Sequence, residues 1–256
     1  MKHDAEAFRI AAEEASAWIA KYLDDPARFR VNPDVRPGEL IDRLPPRGPE
    51  AAEPLSDIFS DFERTVLPAV THWNHPRFFN YFACTGSVPG VIAEMLAAAL
   101  NTNGLNWIAS PAVSELEQVA VSWLRQWMAL SDDYFGEIFD TASISTPHAV
   151  LAAREWVDPG IRLRGMTKTL TVYGSVQAHS SVDKAVVAAG IGLHNLRKIP
   201  TDEQFRLRPD ALRDALAADA AAGLTPCCVI ATAGTTSTTS VDPLIPILDI
   251  GQEYNV

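Results

Sequence analysis

The sequence predicts an α/β protein: a mainly parallel sheet with helices on both faces, preceded by a helical N-terminal segment. Two observations carry this. From about residue 138, short runs rich in apolar and β-branched residues alternate with stretches of helical periodicity, and that alternation is the pattern of parallel strands joined by crossover helices. Before that point the apolar residues recur at helical spacing and no comparable strand run appears.

Residues 5–23 place Phe8, Ala11, Ala12, Ala15, Trp18, Ile19 and Tyr22 on one helical face. PDVRPGELIDRLPPRGPEAAEP (33–54) is rich in proline and reads as an irregular, extended arm that either wraps a partner subunit or forms a surface loop. Helical spacing returns at 55–70. HPRFFNYFA is an aromatic loop or short strand, and 89–101 an apolar helix. Ser114 with Glu117 three residues on is a capping-box pattern, so the next helix is predicted to start there, with Val119, Ala120, Trp123, Leu124, Trp127 and Met128 on its buried face. Further on, helices are predicted at 145–157, 181–190, 209–222 and 243–253, and strands at 168–173, 193–198 and 226–233. Gly223 closes the helix at 209–222. The domain boundary is drawn between 1–85, a helical arm and dimerisation segment, and 86–256, the α/β part.

Composition limits the function classes. At 256 residues, 47% hydrophobic and 21% charged, the chain is ordinary globular material. Lys and Arg total 21 against 32 Asp and Glu, a formal charge of −11. That balance disfavours nucleic acid and anionic membrane as partners. The start, MKHDAEAFRIAAEEA, is acidic where a secretory signal needs an apolar core, and no apolar stretch is long enough to span a bilayer. Cys84 stands alone, and Cys227 and Cys228 sit in an apolar run as buried thiols. No Cys/His spacing suggests a metal site, and the expected compartment is the cytoplasm.

Three turns of the α/β part concentrate polar residues. DTASIST (140–146) precedes a helix whose N–H groups and dipole suit a phosphate, although Ser143 or Ser145 could equally cap that helix. QAHSS (177–181) sets His179 at a strand exit, either as an ordinary surface or capping histidine or as a ligand group. GTTSTTSVD (234–242) follows the strand PCCVIATA. All three belong at the carboxyl edge of a parallel sheet, where such folds bind ligands. Together they suggest a phosphorylated cofactor.

The motifs PDVRPGEL, THWNHPRFFNYF, NWIASPAVSELE, TASISTPHAVLAAR, QAHSSVDKA, AAGLTPCCVIATAGTTSTTSVDPL and EYNV follow one another nearly end to end. In these the chain resembles the N-terminal half of a group II pyridoxal-phosphate-dependent decarboxylase of the aromatic-L-amino-acid decarboxylase type. The resemblance implies fold-type I architecture, pyridoxal 5'-phosphate as cofactor, an aromatic amino acid as substrate, and a homodimer with active sites at the interface. It implies that His179 stacks on the cofactor ring, holds the substrate carboxylate side and serves in proton transfer. It puts Ala142 and Ser143 at the phosphate, and Thr236 and Asp242 beside the cofactor. Trp73, Tyr81, Phe82 and Cys84 line the substrate pocket, and Asn103 and Leu105 reach the neighbouring subunit's pocket; for the aromatics, plain core packing is the competing reading.

The same resemblance expects a ring-pairing aspartate and a cofactor-binding lysine beyond EYNV. Lys184 and Lys198 do not match that lysine and read as solvated charges. The chain is therefore expected to be a partial polypeptide, inactive alone, whose missing C-terminal half could act as a separate partner. Departures from the pattern are Ile144 at a position often acidic, Pro147 inside a helix, Cys84 for a hydroxyl residue and Leu105 for an aromatic. Two alternatives stay open: an oxidative, aldehyde-forming reaction on the same scaffold, and a non-catalytic dimerisation or binding fragment.

Overall fold

The computed structural model describes residues 5–84 and 86–256. They divide into two compact units, one ending at Asn101 and the other beginning at Thr102.

The first unit is helical. Helix α1 spans Ala5–Asp24. The proline-rich arm is irregular as expected except for a short helix, α2 (Glu39–Arg43), entered through Gly38 at φ 92, a left-handed conformation that glycine adopts without strain. The helix expected at 55–70 is realised in three pieces. Regular α3 (Leu55–Asp61) widens into a π-turn (Phe62–Val66) and tightens to a 3-10 turn (Leu67–Ala69) at Pro68, which has no N–H to continue the ladder. HPRFFNYFA forms turns rather than a strand. Helix α4 (Val88–Leu100) is capped by the Ser87 hydroxyl, which accepts the Gly90 N–H at 3.2 Å. The sequence boundary at 85/86 separates α4 from α1. The structure groups them, because Ala12, Ala15, Ile19 and Leu23 of α1 face Val88, Val91, Ile92 and Met95 of α4 across an apolar groove of about 200 Å³. An aromatic cluster holds the unit's centre: Trp18 stacks on Tyr22 at 5.4 Å and meets Phe62 edge-on at the same distance.

The second unit is the α/β part. Helix α5 (Pro111–Trp127) starts earlier than the capping-box pattern indicates, since Pro111 takes the first helical position. Glu117, freed from capping, accepts the Ile138 N–H at 3.1 Å instead. Next come α6 (Ala142–Val157), the single turn α7 (Ile161–Arg164), β1 (Leu170–Ser175), α8 (Ser181–Ala188), β2 (Leu196–Ile199), α9 (Pro209–Ala221), β3 (Thr225–Ile230) and α10 (Leu244–Tyr254). The strands lie in the order β2-β1-β3 and are all parallel. Val172 pairs with Leu196 on one side and Cys228 on the other. Thr171 pairs with Pro226, so Cys227 is bulged out of the β1–β3 register; proline cannot donate to the ladder, and the irregularity falls beside it.

Both sheet faces are covered. On one, Val150 of α6 and Val182, Ala185 and Val186 of α8 pack on Leu170, Val172 and Cys227. On the other, Leu212 and Leu216 of α9 and Ile247 and Ile250 of α10 pack on Tyr173 and Ile199. Tyr173 is fully buried, and its hydroxyl donates to Asp219 of α9 at 2.8 Å. Arg197 of β2 grips the same carboxylate through Nε and a terminal nitrogen, each at 2.8 Å. Burial alone would raise the Asp219 carboxyl; the Arg197 and Tyr173 hydrogen bonds outweigh it and hold it below the usual range. Gly223, at φ 74, ends α9 as expected. Lys198 pairs with Asp183 at 2.7 Å on the surface.

Candidate functional site

Because β1 and β3 run parallel, the segments that leave them emerge at the same sheet edge. The turn after β1 is built by Ser175, which is fully buried. Its carbonyl accepts the Ala178 N–H at 3.0 Å and its hydroxyl the Gln177 N–H at 3.2 Å. These bonds lift the chain off the sheet and leave His179 exposed at the tip. The chain then enters α8, where the Val182 N–H reaches back to the His179 carbonyl at 3.0 Å and the Ser181 N–H reaches Nδ1 of the imidazole at 3.1 Å.

Helix α6 begins at the same edge. Thr146, in its first turns, donates to the Ser181 hydroxyl at 3.3 Å, so the start of α6 is tied to the start of α8. The N-cap residue Thr141 makes no side-chain bond to the helix. The N–H groups of Ala142 and Ser143 therefore carry the positive end of α6 with no acceptor among the described residues. Pro147 falls in the second turn, where its missing N–H leaves the Ser143 carbonyl without the usual helical donor. Beside this end, a cleft of about 350 Å³ runs between α6 and β3, lined by Ser145, Thr146, Ala149, Val150 and residues 228–230.

The third segment, after β3, is a loop closed on itself by hydroxyls. Ala233 and Val241 form an isolated bridge at its base. The buried Thr235 hydroxyl bonds Thr238 at 2.6 Å and accepts the Ser240 N–H at 3.1 Å. Thr236 stays exposed at the tip. The Ser240 hydroxyl is buried and has no hydrogen-bond partner. Asp242 is buried at the loop's exit, where one carboxylate oxygen accepts the Thr232 N–H at 2.8 Å and the other the Leu207 N–H at 2.7 Å. Both its oxygens thus pin the loop to the fold.

The second unit so brings Ala142, Ser143 and His179 together through Thr146 and Ser181, with Thr236 and Asp242 on the loop after β3. It also contains Asn103, whose side-chain Oδ1 accepts the Leu105 N–H at 2.9 Å, and Leu105 itself, which is exposed. In the first unit, Trp73 stacks on Tyr81 at 5.4 Å with the rings within 7° of parallel, and on the buried Phe78 at 4.8 Å. Tyr81 has φ 56, a rare conformation for a bulky residue, and Phe82 and Cys84 follow it exposed. Sequence reasoning missed Ser175, Thr146, Ser181 and Ser240. The available signal was small hydroxyl residues at each turn, which by itself does not say which of them is buried. Among the described residues, no three His, Cys, Asp or Glu side chains gather as metal ligands.

The end of α6 can bind an anion through two free N–H groups. His179 offers a flat, exposed ring, and Ser240 offers an unused hydroxyl. A family model described as "Pyridoxal-dependent decarboxylase conserved domain" matches residues 37–256. The chain is 39% identical to an aromatic-L-amino-acid decarboxylase of Cavia porcellus, over 95% of this chain and 53% of that protein. It is 38% identical to a phenylacetaldehyde synthase of Petunia hybrida, over 99% of this chain and 51% of that protein. The crystal structure of Catharanthus roseus tryptophan decarboxylase in complex with L-tryptophan superposes with a TM-score of 0.92 at 35% identity, covering 100% of this chain and 55% of that one. The chain spans about half the length of the curated relatives it matches.

Proposed function

The chain belongs to the pyridoxal-dependent decarboxylase family, and from that premise we propose that it forms the cofactor-cradling part of an enzyme that decarboxylates an aromatic L-amino acid to its amine and carbon dioxide. The observation that carries this reading is the union of α6's two unclaimed N–H groups with the imidazole turn, through the Thr146–Ser181 hydrogen bond.

The residues present fit pyridoxal phosphate. A phosphate needs donors that the fold does not already use, and the Ala142 and Ser143 N–H groups meet that need at the positive end of a helix. A pyridine ring needs a flat neighbour, and His179 presents one. The buried, unpartnered Ser240 hydroxyl lies in the loop that also carries Thr236. Asp242 acts here by holding that loop in place through the Thr232 and Leu207 N–H groups. When bound, pyridoxal phosphate supplies an electron sink for the pair left on the α-carbon as carbon dioxide departs. The chain's own residues anchor the phosphate, orient the ring and hold the substrate carboxylate. For the substrate's aromatic side chain we assign Trp73, Tyr81, Phe82 and Cys84 in the first unit. Asn103 and Leu105 in the second are assigned to the pocket of a partner subunit in a homodimer. The names of the relatives, which include aromatic-L-amino-acid and tryptophan decarboxylases, support an aromatic substrate.

The longer protein of which this chain would be the cofactor-cradling part, purified and supplied with pyridoxal phosphate, should release carbon dioxide and amine in equal amounts from tyrosine, tryptophan, phenylalanine or dihydroxyphenylalanine, and residues 1–256 alone should release neither. Aldehyde and ammonia in place of amine would select the oxidative reaction instead. Ser143→Asp places a carboxylate where the phosphate binds. The new carboxylate takes the positive helix end that the phosphate would otherwise use, an interaction worth up to ~1–2 kcal/mol, so cofactor affinity should fall by about tenfold. Unchanged cofactor retention on dialysis would remove residues 142 and 143 from the site.

A further inference from the structure

We propose that the main-chain N–H of Ser181 fixes neutral His179 as the tautomer protonated at Nε2. The ring then presents its Nε2–H on the exposed side as a hydrogen-bond donor, for which the substrate carboxylate of the proposed site is the acceptor. This rests on the reading of His179 as the imidazole of the active site, and it narrows that residue's role.

The argument is one of donors and acceptors. A backbone amide can only donate, and the Ser181 N–H lies 3.1 Å from His179 Nδ1. Nδ1 must therefore carry its lone pair, and the single proton of the neutral ring is on Nε2. The donor is well placed to hold this choice. Ser181 is the first residue of α8, so its N–H is one of the groups for which a helix has no internal acceptor. The residue is buried, and its hydroxyl is held by Thr146 of α6. The amide cannot swing away without disturbing two helix starts. The imidazole is exposed, and Nε2 has no partner among the described residues.

A neutral ring with Nε2–H can donate to a carboxylate oxygen. It cannot take up a proton at Nε2, because that nitrogen is already protonated. To take one up at Nδ1 it must break the bond to Ser181 and leave a helix-start amide unpaired. To give up the Nε2 proton it would have to become an anion. Ser181 and Thr146 are positioning residues in this scheme, acting through His179.

Nitrogen NMR of the purified protein, with its histidines isotopically labelled, reads the tautomer directly. The His179 signals are assigned by their loss in His179→Gln. Wild type and Ser181→Ala, which keeps the amide, should both show a protonated Nε2 and an unprotonated Nδ1. Ser181→Pro deletes the amide at a helix position where proline is tolerated, and should shift both resonances toward an average of the two tautomers. A protonated Nδ1 in wild type, or a tautomer unmoved by Ser181→Pro, would overturn the proposal. Ser180 is in the α region, which a following proline disfavours; if that variant fails to fold, the wild-type spectrum decides alone. The readout needs neither substrate nor turnover. A protein showing Nε2–H that never releases carbon dioxide would sink the proposed activity and leave this assignment standing.

Discussion

His72 is held by several segments of the first unit at once. Its Nδ1 lies 3.0 Å from the Tyr22 hydroxyl, its ring stacks on Phe29 at 4.6 Å, and its backbone N–H donates to the Val31 carbonyl at 3.0 Å. Burial holds its pKa below the ordinary histidine value, and the neighbouring His75 acts in the same sense. The charged form is thus disfavoured in the folded state, so the unfolded chain binds more protons in the window just below about pH 6.5. The stability this ring contributes is fully present above that pH and is lost as the pH falls through the window toward the folded value. Urea unfolding followed by tryptophan fluorescence should show a midpoint that drops between about pH 7 and 5. His72→Phe should flatten the drop, and an equally steep drop in that variant would acquit His72.

At the level of elements, Asp242 joins the turn before α9 to the exit of β3 by accepting one N–H from each. Asp242→Ala leaves the buried Leu207 amide and the half-buried Thr232 amide without an acceptor, and the loss should be about 2–4 kcal/mol in chemical denaturation. A loss well under 1 kcal/mol would mean that the loop has another anchor. The sequence could not show this latch, because its two ends are 35 positions apart and a buried aspartate looks like any other. The strands, by contrast, were legible. Leu170–Ser175 and Thr225–Ile230 are β-branched or apolar runs bounded by turn residues, as strands covered on both faces must be. Helix starts were read less well. Ser114 and Glu117 carry a capping signature that Pro111 pre-empts, and Ser143 and Ser145 looked like caps although Thr141 occupies that place. Of the site, the exposed His179 could be found from its place in a strand–turn–helix pattern. Its companion Ser181 could not, because it acts through a main-chain N–H that every residue but proline possesses.

Across the whole molecule, large apolar side chains remain on the surface. On α4, Val88, Ile92, Leu96 and Leu100 recur every fourth residue, and all four are exposed, Leu100 by 71%. A stripe of this kind is what the proposed homodimer would cover, since obligate interfaces are apolar. Leu96→Glu, together with Leu100→Glu, should convert a dimer to monomers in analytical ultracentrifugation without lowering helix content. A dimer of unchanged affinity would place the interface elsewhere.

The parallel arrangement of the sheet also sets a clock. The turn bearing His179 follows β1, yet the strand that completes its edge, and the carboxylate that pins the adjoining loop, are translated much later. Leu207 must wait for Asp242, and at about 5–20 residues per second the 35 positions between them take about two to seven seconds to leave the ribosome. During that interval the imidazole turn exists without its neighbour. In the proposed site the cradle would be complete only after the β3 loop has emerged, so cofactor capture would follow synthesis of this region rather than accompany it.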